Sequence, residues 1–395
     1  MTVFEQAFAL RDEIIAMRRD FHQNPELAFD EVRTAKIVAE ELGKLGMEVI
    51  TGVAKTGVIG LLRGSADTPV LGLRFDMDAL PINEETGAPY ASLIPGKMHA
   101  CGHDCHTAVG LSVAKVLAGR KDELQGTVKF IFQPAEEMAG GAAQMIAEGA
   151  LKNPKLDYVM GHHVWNELPL GEYGLIPGPL MAGSAVFTIK ITGKGGHGAI
   201  PHDTKDPILA SAHIITALQS IISRNINPLD SAVVSVCQIE AGSANNIIPQ
   251  EAILTGTLRA FKPEVMELVS KRFTTIIKDI AGAMGCVAEI ELVKMTEPVI
   301  NNPVLSPLMA EVVLEIDPNA KINTEFQTIV SEDFSLMMQD VPGCFMMVGS
   351  ANPERGLDYG HHHPKFDVDE ACLPYAVAIL AQSAIRVLEQ KPKIN

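Results

Sequence analysis

Three short apolar runs have the pattern of buried strands, and each leads directly into acidic or histidine side chains. The runs are residues 70–75, 126–133 and 157–160, and the residues that follow them include Asp76, Asp78, Glu136, Glu137, His162 and His163. Each pair alone has an ordinary explanation, such as a solvated loop or the first turn of a helix. Ligands of open α/β sheets gather at the carboxyl ends of strands, so the repetition predicts an α/β fold with a binding site along one sheet edge.

A fourth stretch, His99 to His106, places thiol, imidazole and carboxylate side chains within eight residues and runs into an apolar, alanine-rich segment. Cysteine and histidine are the usual ligands of zinc-like divalent metals, and the spacing of Cys101 and His103 is short enough to bind one ion. A buried cysteine and a capping histidine would explain the stretch without a metal. The stretch therefore indicates a metal site only in combination with the three strand ends.

The composition excludes several classes of protein. The formal net charge of −16 argues against nucleic acid and against an anionic membrane surface as partners. No apolar run approaches the roughly 20 residues that span a bilayer, and the N-terminal segment lacks the pattern of a signal peptide, so we expect a cytoplasmic protein. The six cysteines are scattered over 395 residues, which is typical of reduced thiols and not of a disulfide framework.

The length predicts at least two domains. From about residue 184 the pattern changes to strand, helix, strand, strand, helix, strand, which is the order of a ferredoxin-like α+β module. We therefore predict an inserted domain over residues 184–294. Residues 1–183 and 295–395 are predicted to form one discontinuous, metal-binding α/β domain.

Six motifs extend the pattern over most of the chain. They are the segments that begin at Asp76, His99, Pro134, Gly161, Gly195 and His362. Together they resemble the amidohydrolase branch of the aminoacylase and carboxypeptidase metallopeptidase family, which includes hippurate hydrolases, N-acyl-amino-acid amidohydrolases and plant hydrolases of auxin conjugates. The resemblance runs from Arg18 to Phe366. It implies a metallopeptidase-type catalytic domain in which the inserted domain serves as a lid and a dimerisation surface.

The resemblance also implies a set of metal ligands for two divalent ions per subunit, which would be Zn, Mn, Co or Ni. The positions that match are Cys101, His103, Glu137, His163 and His362. His162 stands beside His163, and His361 and His363 flank His362. These neighbours are alternatives for the same ligand positions.

Further positions match the family's catalytic and substrate-binding residues. Glu136 matches the general base, and Asp78 matches an acid near the metal site. His197 matches a histidine that stabilises the oxyanion, often in the active site of the partner subunit. Asn246 and Arg259 resemble substrate-binding residues, and Arg259 would suit a substrate carboxylate.

The implied function is hydrolysis of the amide bond of an N-acyl amino acid, such as hippurate, to a carboxylic acid and a free amino acid. The partner is then a small-molecule substrate, with no nucleic acid and no membrane, in a homodimer or homotetramer. A dipeptidase or carboxypeptidase of the same family is the nearer alternative. A metal-dependent binding protein without catalysis is the more distant one, because a binder needs neither Glu136 nor His197.

Overall fold

The computed structural model describes residues 1–138 and 140–394. Ala139 and Asn395 lie outside the described residues. The sequence predicts a helix over 138–150, and Ala139 is part of that segment. The chain divides into two compact units. The first contains Met1–Leu180, Ile300–Gln327 and Asp333–Asn395, and the second contains Met181–Val299 and Thr328–Glu332. The sequence predicts the domain boundaries at 183/184 and 294/295 and assigns residues 328–332 to the catalytic domain. In the structure, residues 328–332 belong to the second unit.

The described residues form sixteen strands, ten α-helices and three 3-10 helices. The strands are β1 (Glu48–Val53), β2 (Gly57–Arg63), β3 (Val70–Asp76), β4 (Thr127–Gln133), β5 (Tyr158–Pro169), β6 (Glu172–Gly174), β7 (Gly178–Met181), β8 (Gly183–Thr192), β9 (Gly196–His197), β10 (Ala232–Ala241), β11 (Ile247–Ile248), β12 (Glu251–Ala260), β13 (Val287–Thr296), β14 (Val299–Asn301), β15 (Lys321–Asn323) and β16 (Gly343–Ala351). The α-helices are α1 (Val3–Ala9), α2 (Arg11–Gln23), α3 (Val32–Lys44), α4 (His103–Ala118), α5 (Gly141–Ala147), α6 (Pro207–Arg224), α7 (Pro263–Ala283), α8 (Leu305–Ile316), α9 (Phe334–Asp340) and α10 (Cys372–Gln390). The 3-10 helices are Lys121–Glu123, Pro201–Asp203 and Pro353–Arg355.

The first unit is built on an eight-stranded mixed sheet in the order β1-β2-β4-β3-β5-β16-β6-β15. Its four central strands, β4, β3, β5 and β16, run parallel to one another. All residues of β3, β4 and β16 are buried, as expected for parallel strands covered on both faces. Burial on both faces explains why the sequences of these strands are apolar without alternation. The predicted α/β class is confirmed.

The register of the central strands places the polar strand ends at one edge. Asp76 at the end of β3 pairs with Gln133 at the end of β4. The sequence predicted that the third strand ends at Met160, but β5 continues to Pro169 because β16 pairs with it along that length. β3 pairs with β5 only as far as Gly161, so the histidines of β5 follow the point where the two strands stop pairing.

The helices differ from the sequence prediction at two places. The helical spacing of Phe4, Phe8, Ile14 and Ile15 predicts a single helix over 4–20. The structure has two helices there, α1 and α2, which meet at Leu10. The second difference concerns α10, because no membrane-length apolar segment was predicted. By length and composition α10 is apolar enough to cross a membrane, but 72% of its most apolar window is buried inside the protein, where it packs in the core of the first unit.

The second unit contains a four-stranded antiparallel sheet in the order β10-β12-β8-β13. Its larger elements follow the order β8, α6, β10, β12, α7 and β13, which is the order predicted for residues 184–294. β8 alternates between buried and more exposed residues, and its buried residues form a core with α6 and α7. Helices on one face of the sheet explain this period of two.

Candidate metal centre

The five residues implied as metal ligands lie together at the carboxyl edge of the first unit's sheet. Cys101, His103 and His163 each offer a ligand atom within 4.8 Å of the others, and Cys101, Glu137 and His362 form a second such group. Cys101 therefore belongs to both groups. Its Sγ lies 3.5 Å from Nε2 of His163, and Nε2 of His362 lies 3.3 Å from Oε1 of Glu137.

A glycine between Cys101 and His103 allows the two side chains to converge. Gly102 precedes the first residue of α4 and has a φ of 88°, in the left-handed region that glycine adopts without strain. A Cβ atom built on Gly102 would lie 2.4 Å from Cγ2 of Val164 on β5. The close approach of α4 to β5 at this point therefore requires glycine.

Both buried histidines present Nε2 to the centre because Nδ1 is already engaged. Nδ1 of His103 lies 2.9 Å from the carbonyl oxygen of Asp78 and 3.1 Å from its Oδ1, and Nδ1 of His163 lies 2.6 Å from the carbonyl oxygen of Val164. Because the Nδ1–H group of each ring donates to these oxygen acceptors, Nε2 is the nitrogen that is left to bind a metal ion. Such second interactions orient metal-binding histidines in proteins.

The electrostatics of the centre also fit a cation. Burial, together with Glu137 and Glu136, raises the pKa of the Cys101 thiol well above its usual value. Burial alone would lower the pKa of His103, but Asp76 and Asp78 outweigh it and raise that pKa to about 10. Nε2 of His103 and Oε1 of Glu137 are buried and accept or donate no hydrogen bond among the described residues. A divalent ion would replace the protons and satisfy these atoms, so the donor set fits one.

Glu136 lies beside this ligand set. Its carboxylate comes within 4.8 Å of the ligand atoms of His103 and Glu137. The backbone N–H of Asp333 donates to Oε1 of Glu136 at 3.4 Å, and the N–H of Glu137 donates to Oδ2 of Asp78 at 3.0 Å. A carboxylate that lies beside the metal ligands without being one of them can accept a proton from water.

The alternative histidines have other surroundings. The ring of His162 packs against Phe75 and His106, and neither of its nitrogens has a hydrogen-bond partner among the described residues. His361 stacks on Trp165, with its Nε2 2.9 Å from the carbonyl oxygen of Val164. His363 is exposed and stacks on Tyr359. These three histidines lie outside the groups that can share a metal ion in the described part of the chain.

Sequence reasoning missed a buried polar network under the centre. Oδ1 of Asp76 lies 2.5 Å from Nδ1 of His106, and Arg74 pairs with Oδ2 of Asp76 and with Oδ1 of Asp333. Nε2 of His106 accepts the N–H of Val164 at 3.0 Å. Asp76 is thus engaged by two partners beneath the ligands. Asp76 and His106 both stand in stretches that the sequence singled out, and the signal that links His106 to the centre is its place one helical turn after His103.

The remaining predicted site residues belong to the second unit. His197 on β9 is exposed, and its Nδ1 accepts the N–H of Ala199 at 3.0 Å, which leaves the proton on Nε2. The carbonyl oxygen of Asn246 accepts the N–H of Gly198 at 2.8 Å, so these two predicted residues lie on paired segments. Arg259 on β12 is half-buried, donates to Oγ of Ser331, and has a pKa lowered by burial.

A mixed α/β sheet with Cys, His and Glu side chains that could hold metal ions, and a further carboxylate, at the carboxyl edge of its parallel strands is typical of α/β metallohydrolases. Residues 72–386 match the family model described as "Peptidase family M20/M25/M40". The chain belongs to this family, which confirms the family resemblance identified from the sequence motifs. Like the members of that family, it is a metal-dependent hydrolase that acts on amide bonds.

Individual relatives and structures agree with the family match. An Arabidopsis thaliana protein named IAA-amino acid hydrolase ILR1-like 4 is 41% identical over 382 residues, covering 95% of this chain and 86% of the relative. The N-acetylcysteine deacetylase of Bacillus subtilis is 40% identical, covering 96% of this chain and 98% of the relative. The crystal structure of the B. subtilis YXEP protein, described as a dinuclear metal binding peptidase, superposes with a TM-score of 0.84 at 37% identity and covers 96% of this chain and 99% of that chain.

Proposed function

We propose that this protein hydrolyses the amide bond of N-acyl amino acids, with hippurate-like compounds as substrates, and that Glu136 is the general base. The proposal includes two divalent ions, held by the two groups that share Cys101. The observation that carries it is the position of the Glu136 carboxylate, within 4.8 Å of ligand atoms of both His103 and Glu137. This is the arrangement that amide hydrolysis by an activated water requires.

When bound, divalent ions would supply Lewis acidity that polarises the scissile carbonyl and increases the acidity of water. Glu136 would accept a proton from the attacking water and deliver it to the nitrogen of the leaving amine. Asp78 would hold His103 and the backbone of Glu137 in place through its two carboxylate oxygens. We propose Zn, Mn, Co or Ni as the metal, because all four accept sulfur, imidazole and carboxylate ligands together.

The residues of the second unit complete the proposal. The proton on Nε2 of His197 makes it a suitable donor to a developing oxyanion, and Arg259 offers a positive charge for the substrate carboxylate. Asn246 would contribute to substrate binding. The names of two relatives, an IAA-amino acid hydrolase and an N-acetylcysteine deacetylase, each denote removal of an acyl group from an amino acid, which supports the same substrate class here. We also propose that the protein is a cytoplasmic homodimer or homotetramer.

The test is amine release from a panel of N-acyl amino acids and dipeptides, with benzoyl-glycine included. Metal-free protein is assayed with and without each of the four metals. We expect metal-restored cleavage of N-acyl amino acids, and we expect Glu136→Gln to reduce kcat by about 100-fold or more while metal content stays at the wild-type level. Cleavage of dipeptides alone would make the protein a dipeptidase or carboxypeptidase. Full activity of Glu136→Gln would contradict the role of Glu136.

A further inference from the structure

The turn that presents Glu136 and Glu137 has an unusual backbone at its first residue. Ala135 has a φ of 54°, in the left-handed region that alanine rarely occupies. Its carbonyl oxygen accepts the N–H groups of Gly140 and Gly141 at 3.4 and 3.2 Å. A non-glycine residue keeps such a conformation only when its surroundings hold it there, and residues of this kind concentrate at functional sites.

The surroundings include a buried carboxylate from a distant part of the sequence. Glu31 precedes α3 and is fully buried. Its Oε1 accepts the N–H of Ala135 at 3.0 Å and the N–H of Phe29 at 3.0 Å, and its Oε2 accepts the hydroxyl of Thr56. Burying a carboxylate is unfavourable unless donors of this kind compensate for the lost water, so the site of Glu31 is built around these three hydrogen bonds.

A second carboxylate holds the same turn on the other side of Glu136. Oδ2 of Asp78 accepts the N–H of Glu137 at 3.0 Å. The backbone N–H groups of the two residues that flank Glu136, Ala135 and Glu137, are therefore each bound to a buried carboxylate. Asp78 also contacts the ligand His103, whereas the three hydrogen bonds of Glu31 go to the turn, to its own loop and to Thr56.

We propose that Glu31 is a positioning residue for Glu136, which fixes the backbone just before the general base and so aims its carboxylate. The inference rests on the proposed role of Glu136. Misplacement of a catalytic group by about 1 Å can reduce the rate by about 100-fold. Loss of the hydrogen bond between Glu31 and Ala135 should therefore lower kcat. Glu31 does not bind substrate in this scheme, so the affinity for substrate is unaffected.

The experiment compares Glu31→Leu, which removes both acceptor oxygens, with the control Glu26→Leu in the metal-loaded enzyme. Glu26 is a matched glutamate because its carboxylate also accepts two backbone N–H groups, those of Arg33 and Thr34, but at the start of α3 and away from the turn. For Glu31→Leu we expect a fall of kcat by about 10- to 100-fold, with KM within threefold of wild type. Metal content should match that of Glu26→Leu, whose kcat should stay within threefold of wild type.

A double-mutant cycle with Glu136→Gln separates positioning from a general structural role. If Glu31 acts through the Glu136 carboxylate, Glu31→Leu should change the residual rate of Glu136→Gln by less than threefold. Multiplicative losses in the double variant would overturn the inference. So would a wild-type kcat in Glu31→Leu, or a loss of kcat that merely follows a loss of bound metal.

Two further outcomes keep the proposals distinct. If Glu31→Leu does not fold, Glu31→Asp is measured, since it keeps the charge but shortens the side chain by one methylene. It should show the same kcat-specific loss, and a wild-type kcat would overturn the inference. If Glu136→Gln is fully active, the proposed function fails and the positioning role fails with it. If Glu136→Gln is inactive while folded Glu31→Leu is fully active, only the positioning role fails.

Discussion

Asp78 contacts the His103 ring on the side opposite to Nε2, with Oδ1 of Asp78 3.1 Å from Nδ1 of His103. The other carboxylate oxygen of Asp78 holds the backbone of Glu137. One buried side chain thus orients two of the implied ligands. Hydrogen-bond partners of this kind fix the tautomer of a histidine ligand and increase its basicity. Loss of such a partner therefore lowers the affinity for the metal.

Replacement of Asp78 should therefore weaken metal binding. For Asp78→Ala we expect a loss of about 10- to 100-fold in affinity for the first ion released, measured by competition with a chromophoric chelator. Asp157→Asn is the control, because Asp157 also accepts a backbone N–H, that of Val70, but at the opposite end of β3. Equal affinities of Asp78→Ala and wild type would contradict a supporting role for Asp78.

Cys101 should be needed for both ions, because it belongs to both ligand groups. A serine hydroxyl is a harder and far less acidic group than a thiol, so Cys101→Ser should lower the content of both metals after dialysis. The measurement is metal content by mass spectrometry, with the exposed Cys237→Ser as control. Retention of a full complement of metal in Cys101→Ser would show that the thiol is not a ligand.

Gly102→Ala should both destabilise the first unit and disturb the centre. The added Cβ meets Val164 at 2.4 Å in addition to the strain of a φ of 88°. Gly87→Ala is a matched control, because Gly87 also has a positive φ of 69° but has no atom within 4 Å of the added Cβ. We expect about 1 kcal/mol of destabilisation for Gly87→Ala and a further 1–3 kcal/mol for Gly102→Ala in urea unfolding. Equal losses would mean that α4 can move away from β5 at no cost.

His99 should make the protein less stable in acid. Burial lowers the pKa of His99 from 6.5 to about 4, and both of its ring nitrogens are without hydrogen-bond partners among the described residues. Between pH 6.5 and 4 the unfolded chain binds a proton at this histidine and the folded protein does not. The free energy of unfolding therefore falls as the pH falls through this window, by roughly 3 kcal/mol in total.

The measurement for His99 is urea unfolding of metal-free protein at pH 7 and pH 4.5. His99→Gln removes the titration, so the difference in stability between wild type and His99→Gln should shift in favour of the variant on acidification. The exposed His213→Gln serves as control for the loss of a histidine as such. A difference between wild type and His99→Gln that does not change with pH would show that His99 is protonated equally in both states.

The sequence by itself determined the fold class, the family and the order of the larger elements of the second unit. Continuous apolar runs identify buried parallel strands, and the residues just after them lie at one sheet edge because parallel strands share a direction. The spacing of apolar residues in the second unit likewise predicts the order of its strands and helices. These features are local in the chain, so a single sequence contains the information for them.

Only the tertiary structure decided which of two adjacent histidines faces the metal ligands. His162 and His163 are consecutive in β5, and which of them approaches Cys101 depends on how α4 packs against the strand. The same holds for Glu31 and Ala135, which are about 100 residues apart in the chain and hydrogen-bonded in the fold. Such pairs leave no local pattern, because their meeting depends on the packing of α3 against the sheet and not on the residues beside them.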